Sequence, residues 1–210
     1  MKVTLIGDSI RQQYEPRVRE LLGDEYEVFA PAENCRYVKH SLRGMWDWKA
    51  DMRGSRVVHW NNGLWDICDI LDDGKMFTSL DEYIDNMLRL ADVLLKRYDA
   101  VIFATTTPVT ERNPHNKTSE IKKYNDAVVP ELIKRGVIIN DLFSIIAEDI
   151  DRYISDDNIH LSKEGIELAA RAVADSITAV AERLPQSHEC DVFDCSNDQS
   201  GAPVIMKGYN

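Results

Sequence analysis

Five short apolar runs recur along the chain and alternate with longer stretches that have helical periodicity. The runs have the length of β-strands and a continuous, mainly apolar character, which is typical of parallel strands covered on both faces. They comprise residues 2–6, 26–30, 56–61, 100–105 and 137–140. Parallel strands need crossover connections, and helices supply them. We therefore predict an α/β fold, a three-layer α/β/α sandwich around a five-stranded parallel sheet of flavodoxin-like order.

Three of the intervening segments carry helix start and stop signals. Residues 79–98 begin with Ser79 and Glu82 in the spacing of a capping box. Residues 118–135 are closed by a glycine and residues 162–184 by a proline. In a doubly wound sheet, ligands bind at the carboxyl ends of the strands near the switch point. The site is expected at that edge.

Domain organisation follows from length and composition. The chain has 210 residues, enough for one full-sized core, and no linker-like stretch divides it before residue 185. We predict one domain over residues 1–185. Residues 186–210 are rich in Cys, Asp, Ser, Gly and Pro and are predicted to form a C-terminal tail.

Charge and hydropathy exclude several classes of partner. Lys and Arg number 25 against 36 Asp and Glu, a net charge of −11, which argues against nucleic acid. No apolar run has the length of a membrane span, and the N-terminus carries no export signal. We expect a cytoplasmic protein that contacts neither membrane nor nucleic acid; its oligomeric state is open.

The four cysteines are expected to be reduced thiols. They stand at positions 35, 68, 190 and 195, in a chain large enough to fold without disulfides. No pairs of Cys or His have the spacing of metal ligands. We expect neither a metal nor a cofactor.

Two motifs at opposite ends of the domain carry catalytic chemistry. Ser9 lies in Gly-Asp-Ser-Ile at residues 7–10, directly after the first strand, and His160 follows Asp157 by three residues before the last helix. A serine hydroxyl is a weak nucleophile unless a general base assists it, and a carboxylate can orient a histidine for that task. The alternative is purely structural: a helix cap for Ser9, an Asx turn for Asp157 and a packed loop residue for His160.

These motifs resemble those of the SGNH, or GDSL, hydrolases, a family of esterases and acyl hydrolases, over about residues 1–184. The resemblance also includes a block around Cys35 and the sequence Gly-Leu-Trp-Asp at residues 63–66. It implies that Ser9 is the nucleophile, His160 the general base and Asp157 the residue that orients the base. No cofactor is implied.

The oxyanion hole departs from the family's pattern. The family takes its donors from the serine N–H, a Gly N–H in the second block and an Asn in a Gly-x-Asn-Asp block. Here Cys35 stands in the place of that glycine, and Trp65 stands at the Asn position, two residues after Gly63. A branch of the family with Asn two residues before the Gly favours Asn61 as donor, with Asn62 and Trp65 as alternatives.

Aromatic and polar residues near this edge suggest a substrate pocket. All four tryptophans fall at positions 46, 48, 60 and 65; Trp65 is predicted to line the pocket, and Trp46 and Trp48 to pack in the interior. The loop after the fourth strand carries Arg112, Asn113 and His115, which either contact substrate or are solvated.

We predict a serine esterase that removes a small acyl group, first of all acetate, from a carbohydrate or another small-molecule ester. Resemblance to carbohydrate acetylesterases and the Trp-rich edge favour this substrate. A lysophospholipase, a thioesterase or an acyltransferase could use the same acyl-enzyme. A noncatalytic flavodoxin-like binding module fits less well, because the first turn lacks the glycines of a phosphate loop.

Overall fold

The computed structural model describes residues 1–185, which contain five strands and seven α-helices. The strands are β1 (Lys2–Ile6), β2 (Glu27–Phe29), β3 (Ser55–Trp60), β4 (Ala100–Ala104) and β5 (Ile138–Asn140). The helices are α1 (Ser9–Leu22), α2 (Val38–Asp47), α3 (Leu80–Leu95), α4 (Thr118–Lys134), α5 (Leu142–Ala147), α6 (Ile150–Tyr153) and α7 (Lys163–Ala181).

All five strands form one parallel sheet in the order β2-β1-β3-β4-β5. The strand order reverses at β1, so the switch point lies between β1 and β3, where ligands bind in such sheets. The last residues of these two strands, Ile6 and Trp60, are register partners. The sheet confirms the predicted fold class and brings the segments after β1 and β3 together.

Two layers of helices cover the sheet. Helix α1 packs against α7 on one face, while α2, α3 and α4 pack in sequence on the other. The central strands are buried on both sides, with Val57, Val58, Ile102 and Phe103 fully excluded from solvent. This burial explains why their sequences are apolar throughout instead of alternating.

The helix boundaries differ slightly from those predicted. Helix α3 begins after Ser79, whose hydroxyl accepts from the Glu82 N–H at 3.4 Å, but it ends three residues earlier than predicted. Only half of the predicted capping box forms, because the Glu82 carboxylate pairs with Lys39 instead of returning to the Ser79 N–H. Helix α7 likewise ends at Ala181, before the predicted residue 184.

Three further predictions concern the C-terminal tail, the cysteines and membrane spans. The predicted tail, residues 186–210, lies outside the described residues, together with Cys190 and Cys195. Cys35 and Cys68 are free thiols in the interior. Within residues 1–185, no helix is both long enough and apolar enough to cross a membrane.

Candidate active site

Ser9 is the first residue of α1, directly after the turn that follows β1. The preceding Asp8 is the N-cap: its carboxylate accepts from the Ile10 N–H at 3.0 Å. Ser9 is thus not needed as a cap, and its hydroxyl is available for another partner. Within residues 1–185, no acceptor binds the Ser9 N–H, which lies at the electropositive end of the helix.

The serine turn depends on the close approach of β3. A Cβ atom on Gly7 would lie 2.0 Å from Asn61 Oδ1 and 2.6 Å from the Arg11 Cβ, so only glycine fits at this position. Asn61, directly after β3, donates from Nδ2 to Asp8 Oδ1 at 2.8 Å. Its Oδ1 accepts from the Tyr14 hydroxyl at 3.1 Å. These bonds brace the turn that carries Ser9.

His160 lies in a turn between α6 and α7 that Asp157 organises. Asp157 Oδ1 accepts from the N–H groups of His160, at 2.9 Å, and Ile159, at 3.0 Å. Its Oδ2 lies 2.6 Å from His160 Nδ1. Partial burial disfavours the charge on Asp157, but the backbone N–H donors outweigh it and hold the pKa of this carboxyl well below its usual range. Asp157 is therefore anionic at neutral pH.

The structure brings Ser9, His160 and Asp157 into one hydrogen-bonded chain. His160 Nε2 lies 2.8 Å from Ser9 Oγ, across 151 positions of sequence. With Asp157 accepting the proton on Nδ1, Nε2 is left as the acceptor for the serine hydroxyl. Geometrically, the arrangement allows a proton to pass from Ser9 to His160.

Cys35 differs from its predicted role as an oxyanion donor. Its backbone N–H donates to Gly7 O at 3.0 Å, and its thiol is fully buried. The buried Arg11 guanidinium draws the same loop inward by donating to the carbonyls of Pro31 and Glu33, at 2.9 and 2.8 Å. The second block thus packs beneath the serine turn, and the Cys35 N–H is already taken. Nothing in the sequence indicates this fold-back except a basic residue within α1.

Asn62 and Gly63, the next two predicted site residues, are buried. Asn62 Nδ2 donates to Arg36 O at 2.7 Å, so this amide links the loop after β3 to the backbone before α2. Gly63 has φ of 158°, and a Cβ there would lie 1.9 Å from Thr106 Oγ1. Glycine is needed at this position because the β4 loop approaches it closely.

Asp66 holds the loop after β3 together. It is buried and accepts from the Val38 N–H at 3.0 Å and the Thr78 hydroxyl at 2.8 Å. Burial raises the pKa of Asp66 to about 7. Within residues 1–185, His, Cys, Asp and Glu form no group that could hold a metal ion.

A pocket of about 340 Å³ opens beside Ser9 and His160. Its walls are mostly apolar and include Trp65, Ile70 and Ile159. Trp65 is 39% exposed and lies at the pocket, where the sequence predicted it. Trp48 is buried as predicted, but Trp46 is 56% exposed, with the Lys49 ammonium over its ring, so the prediction of packing was wrong for this residue.

The loop after β4 holds the histidine turn. Arg112 and Asn113, considered above as substrate contacts or solvated residues, both donate to Asn158 inside that turn. The Arg112 side chain is also largely exposed to solvent, and Asn113 also lines the pocket. His115 lines the pocket, with its Nδ1 3.2 Å from Asp69 O. From the other side, Gln13 of α1 pairs with the backbone of Leu161. Sequence reasoning missed Gln13 and Asn158, because no residue pattern marks such contacts.

Comparison with known proteins supports this architecture. No protein-family profile and no curated protein sequence matches the chain. Among solved structures, the acetyl xylan esterase AlAXEase is similar with a TM-score of 0.71 and 19% identity, covering 84% of this chain and 100% of its own. The lipase/acylhydrolase from Enterococcus faecalis has a TM-score of 0.71 and 16% identity, covering 85% and 96%.

A third similar structure is Axe2, an acetylxylan esterase from Geobacillus stearothermophilus, with a TM-score of 0.69 and 19% identity over 84% of this chain and 93% of that one. The three-layer fold is shared with these proteins. For Axe2, catalytic mutants with a serine or a histidine replaced by alanine are also among the similar structures.

Proposed function

We propose that this protein is a serine esterase that hydrolyses a carboxylic ester through an acyl-enzyme. One observation carries the proposal: His160 Nε2 lies 2.8 Å from Ser9 Oγ, while Nδ1 lies 2.6 Å from Asp157 Oδ2. This is the geometry of a nucleophile, its general base and the residue that orients the base. The esterase and acylhydrolase activities named for the similar structures support the same reaction class.

In the first half of the reaction, Ser9 Oγ attacks the ester carbonyl carbon and its proton passes to His160 Nε2. The imidazolium that forms is stabilised by the anionic Asp157 carboxylate. The tetrahedral intermediate collapses when His160 returns the proton to the alcohol oxygen, and the alcohol leaves. Ser9 is then acylated. In the second half, a water molecule gives a proton to His160 as its oxygen attacks the acyl carbon. The bond between that carbon and Ser9 Oγ then breaks, His160 returns the proton to Ser9 Oγ, and the carboxylic acid leaves.

The developing oxyanion needs donors aimed at it, each worth about 2.7–4 kcal/mol. The Ser9 N–H at the start of α1 is the first donor we propose. Asn61 uses one amide hydrogen for Asp8 and has a second, and Trp65, whose indole carries an N–H donor, lines the pocket. We propose Asn61 as the second donor, with Trp65 as the alternative.

For the substrate, we propose a small acyl ester, an acetyl ester in particular, on a carbohydrate. The acetyl xylan esterases among the similar structures support this choice. The exposed indole of Trp65 provides a flat apolar surface beside the pocket, of the kind on which sugar rings stack.

A second candidate is an ester with a longer apolar chain, as in a lysophospholipid or thioester. The loop after Trp65 carries three large apolar side chains that are at least half exposed: Ile70 at 52%, Leu71 at 73% and Phe77 at 50%. Of these, Ile70 lines the pocket. Exposed apolar side chains that are close in sequence are typical of a surface that receives an apolar ligand. An acyltransferase would use the same acyl-enzyme with a different acceptor.

Steady-state kinetics on p-nitrophenyl esters of increasing acyl length, together with acetylated xylo-oligosaccharides, tests the proposal. We expect the highest kcat/KM on acetyl esters and no hydrolysis by Ser9→Ala. A maximum at medium or long chains would support the second candidate. Absence of Ser9-dependent hydrolysis on every ester would contradict both.

A further inference from the structure

The turn that carries His160 has an unusual backbone conformation at Asn158. Its φ is +71°, in the left-handed region that asparagine tolerates better than most residues with a side chain. The turn is closed by bonds from Asn158 N to Ser155 O, at 2.9 Å, and from Ser155 N to His160 O, at 2.7 Å. The position of His160 therefore depends on how Asn158 is held.

The loop after β4 donates hydrogen bonds to both the backbone carbonyl and the side-chain oxygen of Asn158. Thr110 donates from its N–H to Asn158 O at 3.2 Å and from its hydroxyl to Asn158 Oδ1 at 2.7 Å. Arg112 Nε donates to the same Oδ1 at 2.9 Å, and Asn113 Nδ2 to Asn158 O at 3.4 Å. Thr110 and Asn113 are each only 5% exposed, so these two donors are themselves held by packing in the protein.

Asp157 and His160, on either side of Asn158 in the turn, are much more exposed to solvent than Thr110 and Asn113. The His160 side chain is 33% exposed and that of Asp157 is 50% exposed. The contacts between Asp157 and His160 lie within the turn, so they orient the imidazole but do not fix the turn relative to Ser9. That requires bonds to the rest of the fold, and Asn158 receives four of them.

We propose that Asn158 is a positioning residue for the proposed hydrolysis: its contact with Thr110 sets the distance between His160 and Ser9. The inference rests on the proposed function. Displacing a catalytic group by about 1 Å costs on the order of 100-fold in rate. Asn158 thus acts through His160 without touching substrate, and its loss lowers kcat more than it raises KM.

Two variants remove the contact from opposite sides. Asn158→Gly keeps the left-handed backbone but deletes the amide, whereas Thr110→Val keeps the side-chain volume but deletes the hydroxyl. Thr110→Ser, which retains the hydroxyl, is the matched control. We expect kcat on p-nitrophenyl acetate to fall on the order of 10- to 100-fold in the first two, with little change in KM, and to recover in the control.

The double variant Asn158→Gly/Thr110→Val separates positioning from general destabilisation. Asn158→Gly already removes the acceptor of the Thr110 hydroxyl, together with that of Arg112 Nε. Adding Thr110→Val should therefore lower kcat no further than Asn158→Gly alone, and circular dichroism should report native structure. Additive losses, or a wild-type kcat in Asn158→Gly, would overturn the inference and leave the esterase proposal standing. A wild-type protein without Ser9-dependent hydrolysis would overturn both.

Discussion

At the scale of single residues, Asn61 combines a structural and a proposed catalytic role. Its amide links Asp8 to Tyr14, two buried polar groups beside the serine turn. We predict that Asn61→Ala lowers the free energy of unfolding by about 1–3 kcal/mol, because the buried Tyr14 hydroxyl loses its acceptor and the buried Asp8 carboxylate loses one of its donors. Urea denaturation measures this loss, and an unchanged midpoint would contradict the bracing role.

Kinetics of the same variant test the donor role separately. If the second amide hydrogen of Asn61 binds the oxyanion, kcat on an acetyl ester should fall on the order of 10²–10³-fold while KM changes little. The assay is run well below the unfolding transition, so that the stability loss does not reduce the folded fraction. An unchanged kcat would exclude Asn61 and leave Trp65 or Asn62 as the second donor.

Trp65 is predicted to affect substrate choice more than turnover. Its indole is a wall of the pocket and is partly exposed, so removing it opens the pocket without touching Ser9 or His160. We expect Trp65→Ala to change the ratio of kcat/KM between acetylated sugars and p-nitrophenyl acetate several-fold. Trp46→Ala, which removes another exposed indole, is the control. An equal loss on every ester would favour a structural role for Trp65.

At the scale of elements, α1 links the proposed nucleophile to the turn of its base. Ser9 opens the helix, and Gln13 lies one turn later on the same face. The Gln13 side chain accepts from the Leu161 N–H at 2.9 Å and donates to Leu161 O at 3.3 Å. Leu161 directly follows His160, so the helix that carries the hydroxyl also anchors the imidazole.

This linkage predicts the effect of Gln13→Met, which keeps side-chain length but removes both bonds. We expect kcat to fall on the order of 10-fold with little change in KM. Gln12→Met is the control, because Gln12 donates instead to Ala32 O, in a loop on the other side of α1. If the two variants had equal activity, Gln13 would have no part in positioning the base.

The elements themselves were largely predictable, because each strand is mainly apolar and three helices carry start or stop signals. The end of α3 was not, since the last turn of a helix depends on contacts that local sequence does not specify. The role of Cys35 as an oxyanion donor was also predicted from sequence, and the structure instead places its N–H in a backbone hydrogen bond. Whether the Cys35 N–H is open or donates to Gly7 O depends on how Arg11 draws residues 31–35 inward, which is a tertiary effect.

At the scale of the whole molecule, the buried His59 makes stability depend on pH. It lies in β3, and burial lowers its pKa to about 3. The unfolded chain takes up this proton below about pH 6.5, whereas the folded protein stays neutral, so the free energy of unfolding falls as pH decreases.

Comparison with His59→Gln isolates this contribution, since other titrating groups are common to both proteins. Between pH 7 and pH 5 the wild type should lose about 2 kcal/mol more of its unfolding free energy than the variant. Chemical denaturation at the two pH values measures the difference. Parallel changes in both proteins would contradict a neutral, buried His59.

The fold and the Ser9–His160–Asp157 geometry followed from sequence because both depend on the order of elements along the chain. The carboxyl ends of β1 and β3 meet in any sheet of this order. The oxyanion donors beside Ser9 could not be predicted in the same way, because Asn61, Asn62 and Cys35 all carry N–H groups that could donate. Which of them is used internally depends on packing at distances of a few ångströms.

In the proposed mechanism, His160 activates Ser9 as a nucleophile. Labelling with a fluorophosphonate, followed by mass spectrometry of the modified peptide, tests this activation. We predict modification of Ser9 in the wild type, none in Ser9→Ala, and a rate in His160→Ala that is lower on the order of 10²–10⁴-fold. A correctly folded wild-type protein that is not labelled, or is labelled equally fast without His160, would contradict it.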